Sequence, residues 1–401
     1  MPRLRSLSSP IRLALSEIIG APSGQDFKDL CRGVTALSTL FTRNRGRLND
    51  AYMTDHKLRL AYLAYFLPVN LAKVQALLDE LPTQARELAA PTQRLRLLDV
   101  GCGPGTGALA VLDWMLHQPW GRQMPLDVEL WDRSRPALLE AQRLWATYVQ
   151  SCVAPNVRLV PVCVDLERSG SLNRLAAPTN GPFDLIVVAN TLNELYSTVR
   201  DPIRRRAKLV SKLLDRLEPH GTLLIIEPAL RAVSRELHRV RDVLVAQNAC
   251  TVYSPCLHEL SCPALVKEGD WCHEERPWSP PPTVASIDQV VGFIKDALKF
   301  SYLVLRRDGR TLATRGLEIF RVVSELRHMK GETRAWLCNE TGRVEVGRLD
   351  RERTQGNVTF DQWHRGAIVR VADIVRSAHQ GKETHVRRIT ARSGVEVIRS
   401  V

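Results

Sequence analysis

Leu95-Arg96-Leu97-Leu98-Asp99-Val100-Gly101-Cys102-Gly103-Pro104-Gly105-Thr106-Gly107-Ala108-Leu109-Ala110 is the stretch on which the fold turns. Its apolar run, Leu97 to Val100, has the texture of a buried parallel strand. Gly101, Gly103, Gly105 and Gly107 then fall within seven residues, and Ala108 to Leu112 turns helical. Strand, glycine turn and helix in that order form the first unit of a doubly wound nucleotide-binding fold. The helix start presents free N–H groups to whatever lies over the turn. Leu126 to Asp132 reads as a second strand ending in a carboxylate, a helix-length distance further on. A carboxylate in that place accepts hydrogen bonds from both hydroxyls of a ribose.

The flanking chain is long and basic. Its 401 residues suffice for two or three domains with cores of their own, and 44% hydrophobic with 25% charged residues are globular values. The formal charge of +13 points to a polyanionic partner, most simply nucleic acid. Ser301 to Val401 holds 20 Lys/Arg against 12 Asp/Glu, so much of the excess sits in the last quarter. No apolar run reads as membrane-spanning, so no membrane partner is expected. The Arg- and Ser-rich start resembles a weak transit peptide, against which Glu17 argues. The expected location is a bacterial cytoplasm, or the mitochondrion for a eukaryotic source, and the expected state is a monomer. Nine cysteines, odd in number and mostly scattered, suit a reducing compartment with a metal site better than a disulfide framework.

In chain order, residues 1–94 read as helical. Ser9-Pro10 starts one helix, and Asp50 to Leu81 supplies a pair with apolar residues at helical spacing, kinked or split by Pro68. Arg43, Arg45, Arg47, Lys57 and Arg59 make the region basic: a helical cap on the next domain, or a cap with an RNA-facing side. Residues 95–249 read as the nucleotide-binding domain. A third strand, Val157 to Val162, leads to Asp165; a fourth, Phe183 to Asn190, leads into Thr191-Leu192-Asn193-Glu194. A fifth, Leu223 to Pro228, precedes a basic helix through Arg231, Arg235, Arg239 and Arg241.

The spelling Asp99-x-Gly101-x-Gly103-x-Gly105 resembles motif I of class I S-adenosylmethionine methyltransferases more than a dinucleotide GxGxxG. The resemblance implies Asp99 near the methionine end of the cofactor, the four glycines under it and Asp132 on its ribose. It also places Asp165 at the adenine amine, a position that helix capping explains equally well, and Asn190 where the methyl points. Enzymes that methylate exocyclic base amines usually carry Asn/Asp-Pro-Pro-aromatic after the fourth strand; this chain has Asn190-Thr191-Leu192-Asn193. Pyrimidine C5 methylation needs a cysteine there, and none is present. The catalytic group is not identified, and Asn190 and Glu194 are candidates to orient an acceptor.

From Cys250 to about residue 283 the texture changes. Cys256, Cys262 and Cys272 lie within seventeen residues among prolines, and Cys338 is the last cysteine. A segment with so few core-forming residues gains order from a metal, because ligand–metal energy offsets chain entropy. Four thiolates suit a [4Fe–4S] cluster or a Cys₄ zinc site. Gaps of five and nine residues favour the cluster over close zinc pairs, with His258 and His273 as spare ligands. Residues 284–401 read as a helix, Ile287 to Leu298, and then short strands of a small, basic, barrel-like β domain. Its pieces are Tyr302 to Arg306, Ile319 to Val323, Arg334 to Leu337, Val344 to Leu349 and Ala367 to Val371.

Taken together, these residues resemble one family, the methyltransferase-like proteins associated with the small ribosomal subunit. The resemblance rests on Tyr62-Leu63-Ala64-Tyr65-Phe66-Leu67-Pro68-Val69-Asn70, on the glycine motif, and on Pro255-Cys256-Leu257-His258, Cys262-Pro263 and Asp270-Trp271-Cys272-His273. It implies a class I fold and a [4Fe–4S] site on Cys256, Cys262, Cys272 and Cys338. As partners it implies small-subunit rRNA and the small subunit itself. The expected function is a small-subunit assembly factor that holds S-adenosylmethionine; the alternative is a catalytically active rRNA methyltransferase.

Overall fold

The computed structural model describes residue 4 and residues 6–44, 51–81, 94–152, 156–168, 181–379 and 382–400. Arg45, Arg47 and Asp50 of the basic helical region lie outside the described residues. β1 (Leu95–Val100) lies between β2 (Leu126–Asp132) and β4 (Phe183–Ala189), parallel to both. β3 (Val157–Cys163) extends the parallel run beyond β2, and β5 (Leu217–Pro228) extends it beyond β4. Successive residues of β1 feed two cores: Leu97 packs on one face of the sheet and Leu98 on the other. Burial on both faces is why the strand is apolar without alternation.

Helices supply the two covers. On the Leu97 side lie α1 (Ser9–Ile19), α2 (Gly24–Thr42), the short α3 (Ala51–Thr54), α4 (His56–Leu78), α5 (Thr106–Leu116) and α6 (Arg135–Cys152). On the Leu98 side lie α7 (Pro202–Leu214) and α8 (Arg231–Ala246). α4 corrects two sequence expectations. It is long and apolar enough to cross a membrane, but 67% of its apolar window is buried inside the protein, as in a core helix. Pro68 neither splits nor stops it. A π turn over Tyr62–Phe66, closed by the Leu67 N–H on the Tyr62 carbonyl, absorbs the missing proline donor one turn upstream.

Beyond β5 the sheet turns antiparallel. β8 (Ala297–Arg306) pairs with β5 and with β6 (Thr251–Ser254), and β7 (Glu274–Pro277) also pairs with β8. The order β3-β2-β1-β4-β5-β8-β6 is the class I methyltransferase order, with an antiparallel strand inserted after the fifth. Two boundaries therefore move. The helix expected over Ile287 to Leu298 is α9 (Pro282–Val291), which stops at Gly292 in the left-handed region (φ 73°). The segment expected to open the C-terminal β domain, Tyr302 to Arg306, is instead part of a buried strand of the first sheet.

The second sheet begins at β9 (Ile319–Val322) and continues with β10 (Arg327–Met329), β11 (Glu332–Asn339) and β12 (Gly342–Leu349). β13 (Ile368–Val371), β14 (Val375–His379), β15 (Lys382–Ile389) and β16 (Val395–Arg399) complete it. Its order is β14-β15-β12-β11-β9-β13-β16, with β10 on β11. Among the described residues β14 and β16 do not pair, so the sheet is open and not barrel-like. Phe320, Leu337, Val346, Phe360, Trp363 and Ile389 form its core.

A buried ionic network joins the two sheets to α4. Glu80, just past the end of α4, receives hydrogen bonds from Arg276 of β7 and from the Ser254 hydroxyl of β6 (2.9 Å). Arg321 of β9 donates to Glu274 of β7 (2.5 Å) and to the Tyr302 hydroxyl of β8 (2.8 Å). Burial pushes the Glu274 carboxyl up, and Arg321 and Arg276 more than reverse this, leaving it below the usual range.

Candidate functional site

A cavity of about 440 Å³ opens at the C-terminal ends of β1, β2, β3, β4 and β5, where the strand order reverses between β1 and β4. A doubly wound sheet places its ligand in that crevice, and the volume is that of a cofactor site. Gly101, Gly103, Asp132, Asp165, Asn190 and Glu194 of the sequence candidates line it. Asp132 braces its mouth: Oδ2 accepts the Gly103 N–H and Oδ1 the Ser134 N–H, both at 2.8 Å. The Asp165 Oδ1 accepts the Glu167 N–H at 3.0 Å, a capping contact, and the residue still faces the cavity.

Two glycines are sterically required. Gly101 has φ 65°, and a Cβ there would overlap the Thr191 side chain, whose hydroxyl donates to the Gly101 carbonyl at 3.1 Å. A Cβ at Gly107 would meet Asp99 Oδ1 at 2.7 Å. That second contact locates Asp99: its Oδ2 accepts the Ala108 N–H at 2.8 Å, and it is 1% exposed. Asp99, Gly105 and Gly107 thus stand behind the cavity wall, where they shape the turn; they do not line the cavity. Burial pushes the Asp99 carboxyl up to about 7 against the Ala108 N–H, and Asp132 adds to the rise.

The fourth strand ends in a strained corner. Asn190 sits at φ 56°, its N–H on the Ile226 carbonyl at 2.7 Å. Asn193 is held by Glu227 at the end of β5, and its carbonyl accepts from Arg206 at 3.0 Å. These contacts fix the far wall of the cavity, next to Glu194.

Several lining residues were not among the site candidates of the sequence. One stripe of α4, Tyr62, Phe66, Val69, Asn70 and Lys73, faces the cavity at helical spacing. Phe41 and Tyr52 pack edge-on to one another beside it, with ring centroids 5.3 Å apart. Lys73 is buried, with Nζ on Asn70 Oδ1 at 3.0 Å. Burial pushes its ammonium down to about 7 with help from Lys295, and Glu227 opposes. Lys295 and Lys299 complete the β8 side. Only Lys73 is on a helix; Lys295 precedes β8 and Lys299 is on it, so no single sequence period brings the three lysines together.

The four cysteines meet beside the second sheet. Cys256 follows β6, Cys262 and Cys272 lie between β6 and β7, and Cys338 is on β11. Burial pushes the Cys262 thiol up, and nearby Cys256 and Cys272 add to it; for Cys338 the same two cysteines add to burial. Arg241, Arg321, Arg343 and Arg365 act the other way on Cys256, Cys272 or both. His258 Nε2 lies 3.9 Å from Cys338 Sγ, and burial pushes both His258 and His273 down to about 4. Among the described residues no three Cys, His, Asp or Glu side chains stand close enough to hold one metal ion. The cysteines expected as a ligand set therefore gather loosely and do not form a closed single-ion site.

Several solved methyltransferase structures resemble the chain. A class I S-adenosylmethionine-dependent enzyme from Listeria monocytogenes shares 11% identity, covering 71% of this chain and 88% of its own, with a TM-score of 0.33. The CcbJ methyltransferase from Streptomyces caelestis shares 18%, covering 40% and 52%, with a TM-score of 0.27. An O-methyltransferase family 2 protein from Planctomyces limnophilus shares 17%, covering 74% and 65%, with a TM-score of 0.31. The chain spans about half the length of several such structures, and the strand order remains the evidence for the fold. No curated protein matches the chain. The family model for mitochondrial small ribosomal subunit Rsm22 matches residues 57–357, from α4 through the first sheet, strands β9 to β12 of the second and all four clustered cysteines, and the chain belongs to that family.

Proposed function

We propose that the protein is an assembly factor of the small ribosomal subunit that binds small-subunit rRNA, holds S-adenosylmethionine in the β1–β4 cavity and carries a structural [4Fe–4S] cluster on Cys256, Cys262, Cys272 and Cys338. The family match carries the ribosomal part of this reading, since the family's description names the small subunit. The charge of +13 and the exposed basic side chains Arg205, Lys208 and Arg239 on α7 and α8 agree with phosphate contacts.

The cavity residues fit the cofactor. Asp132 offers its carboxylate at the second strand end, and even a Cβ at Gly103 would meet nothing within 4 Å, so the turn there is open to a ligand. Gly101 and Gly103 would lie under the cofactor, Asp132 would hold the ribose, Asp165 the adenine amine, and Asn190 the methionine side. S-adenosylmethionine supplies a methyl group on a cationic sulfur; the chain supplies position and exclusion of water.

The cysteine centre also fits its group. Four thiols converge from three segments, and a four-iron cube needs its sulfurs spread more widely than a single ion does. Arg241 Nε, Arg321 Nη1 and Arg343 Nε are buried without a hydrogen-bond partner, a cationic shell suited to an anionic cluster. The cluster would tie β6 and β7 of the first sheet to β11 of the second.

The second reading, an active rRNA methyltransferase, is favoured by one observation. The cavity continues past β4 to Pro228, Leu230 and Lys295, leaving an acceptor side beyond the cofactor. The test of the main reading is iron and acid-labile sulfide in anaerobically purified protein, beside a Cys256→Ser/Cys272→Ser variant. About four of each per chain are expected, lost in the variant, together with salt-sensitive preference for small-subunit rRNA over tRNA. One zinc without sulfide, or equal affinity for tRNA, would refute it.

A further inference from the structure

The cavity is electrically polar along the strand order. Asp165 stands at the end of β3, Asp132 at β2, Gly101 at β1, Asn190 at β4, Pro228 at β5 and Lys299 on β8. Of the charged lining residues, Asp132, Arg133, Asp165 and Glu167 fall with the glycine turn on the β2–β3 side, Glu194 follows β4, and the lysines stand on α4 and the β5–β8 side. A ligand that uses Asp132, Gly101 and Asn190 leaves the β5–β8 side to something else.

Lys73 makes that side unusual. It is 9% exposed, no ion pair to it appears among the described residues, and its amine leans on the Asn70 amide oxygen. The charges acting on it are Lys295, which repels it, and Glu227, which attracts it. Lys295 lies over the Tyr65 ring at 5.9 Å and feels Asp288 and Lys299. Lys299 at the rim is paired with Glu275 at 2.8 Å. Two cations kept close in a half-buried wall cost free energy unless an anion joins them. The wall beside them, Phe66 and Tyr62 on the same helix stripe, offers aromatic surface of the kind on which a base stacks.

We propose that Lys73 and Lys295 form an anion subsite on the acceptor side of the cavity, which holds the phosphate of an unpaired nucleotide whose base enters over the α4 aromatic stripe. This rests on the reading of the remaining cavity as the cofactor side. It deepens the rRNA assignment by naming where a single flipped-out nucleotide meets the protein. The anionic oxygens could instead come from the cofactor's own carboxylate, and the experiment separates the two.

The full chain is titrated calorimetrically with uridine 3′,5′-bisphosphate and with uridine, with and without S-adenosylhomocysteine. Wild type, Lys73→Met, Lys295→Met and Lys73→Arg are compared. Wild type should prefer the bisphosphate by about ten-fold or more, the worth of a charge-assisted hydrogen bond. Either Met variant should lose most of that preference, Lys73→Arg should keep it, and S-adenosylhomocysteine affinity should stay within about three-fold. Lys73→Met removes a buried charge at similar length, so its melting temperature should not fall. Equal binding of bisphosphate and uridine, no binding of either, or an unchanged preference in both Met variants overturns the subsite. So does a loss of S-adenosylhomocysteine affinity in Lys73→Met that 5′-methylthioadenosine, which lacks the carboxylate, does not share. Failure of wild type to bind S-adenosylhomocysteine refutes the cofactor reading, while the bisphosphate arm without it still decides the lysines.

Discussion

Asp99 shows how a residue can be found in sequence while its surroundings are not. Its position in the glycine motif suggests a ligand contact, but its carboxylate is turned into the first turn of α5 against the Ala108 N–H. Burial is the larger influence, and it lifts the carboxyl to about 7 from an ordinary 3.8. The sign of the consequence follows from linkage. Between pH 3.8 and about 7 the folded state binds the proton that the unfolded state releases, so this residue stabilises the fold at acid pH and the benefit is lost as pH rises through 7. Asp99→Asn keeps the acceptor oxygen and cannot ionise. Its stability relative to wild type should improve steadily from pH 4 to 7 and level off above, read by urea melts across that range. A constant difference at every pH would mean that Asp99 is ionised in the fold. Lys73 acts in the opposite window, because a lysine lowered to about 7 penalises folding most at and below neutral pH and progressively less toward 10.5.

At the scale of elements, strands with strong local signals were legible and long-range pairings were not. β1 to β5 announce themselves as apolar runs ending in polar or glycine residues, and β2 is read to its last residue. β8 has the same texture but no local mark of its partner, since an antiparallel return between β5 and β6 is fixed by packing. β6 and β7 do not show in the sequence because four residues are too few for a period, and β7, Glu-Glu-Arg-Pro, is charged as well. The α4 stripe that faces the cavity depends on the π turn before Pro68, which no periodicity reveals. That turn carries one extra residue, so relaxing it to plain α-helix rotates everything upstream by about 100°. Pro68→Ala restores a donor and removes the ring clash. By letting the π turn relax it should swing Tyr62 off the cavity and disturb the packing of buried Ala61 and Leu63, lowering the melting temperature and reducing nucleotide affinity about ten-fold. Unaltered affinity with unaltered near-ultraviolet circular dichroism would show that the π turn is held by packing and not by the proline.

Across the whole molecule the question is what makes two sheets one protein. The first holds the cavity, the second holds Cys338, and the Glu80–Arg276–Glu274–Arg321–Tyr302 network runs between them next to Cys272 and His273. Every charged group in it is buried, with Arg276 and Glu80 each 3% exposed at the side chain. Such a network adds little over a well-packed apolar substitute, but it is costly to break on one side. Arg321→Met removes the bond to Glu274 and leaves its buried carboxylate with Arg276 at 3.6 Å, the Glu275 N–H at 3.3 Å and the field of Arg365. A loss of about 3 kcal/mol is expected, the low end for a broken buried pair. Because Arg321 sits on β9 and Glu274 on β7, the loss falls on the junction between sheets. Calorimetry should therefore change from one transition to two, the second sheet melting first. Arg321→Met/Glu274→Gln removes both charges and should recover more than half of the loss, together with the single transition. If the two losses simply add, the residues act independently, and cohesion of the sheets comes from their apolar contacts and the cysteine centre instead.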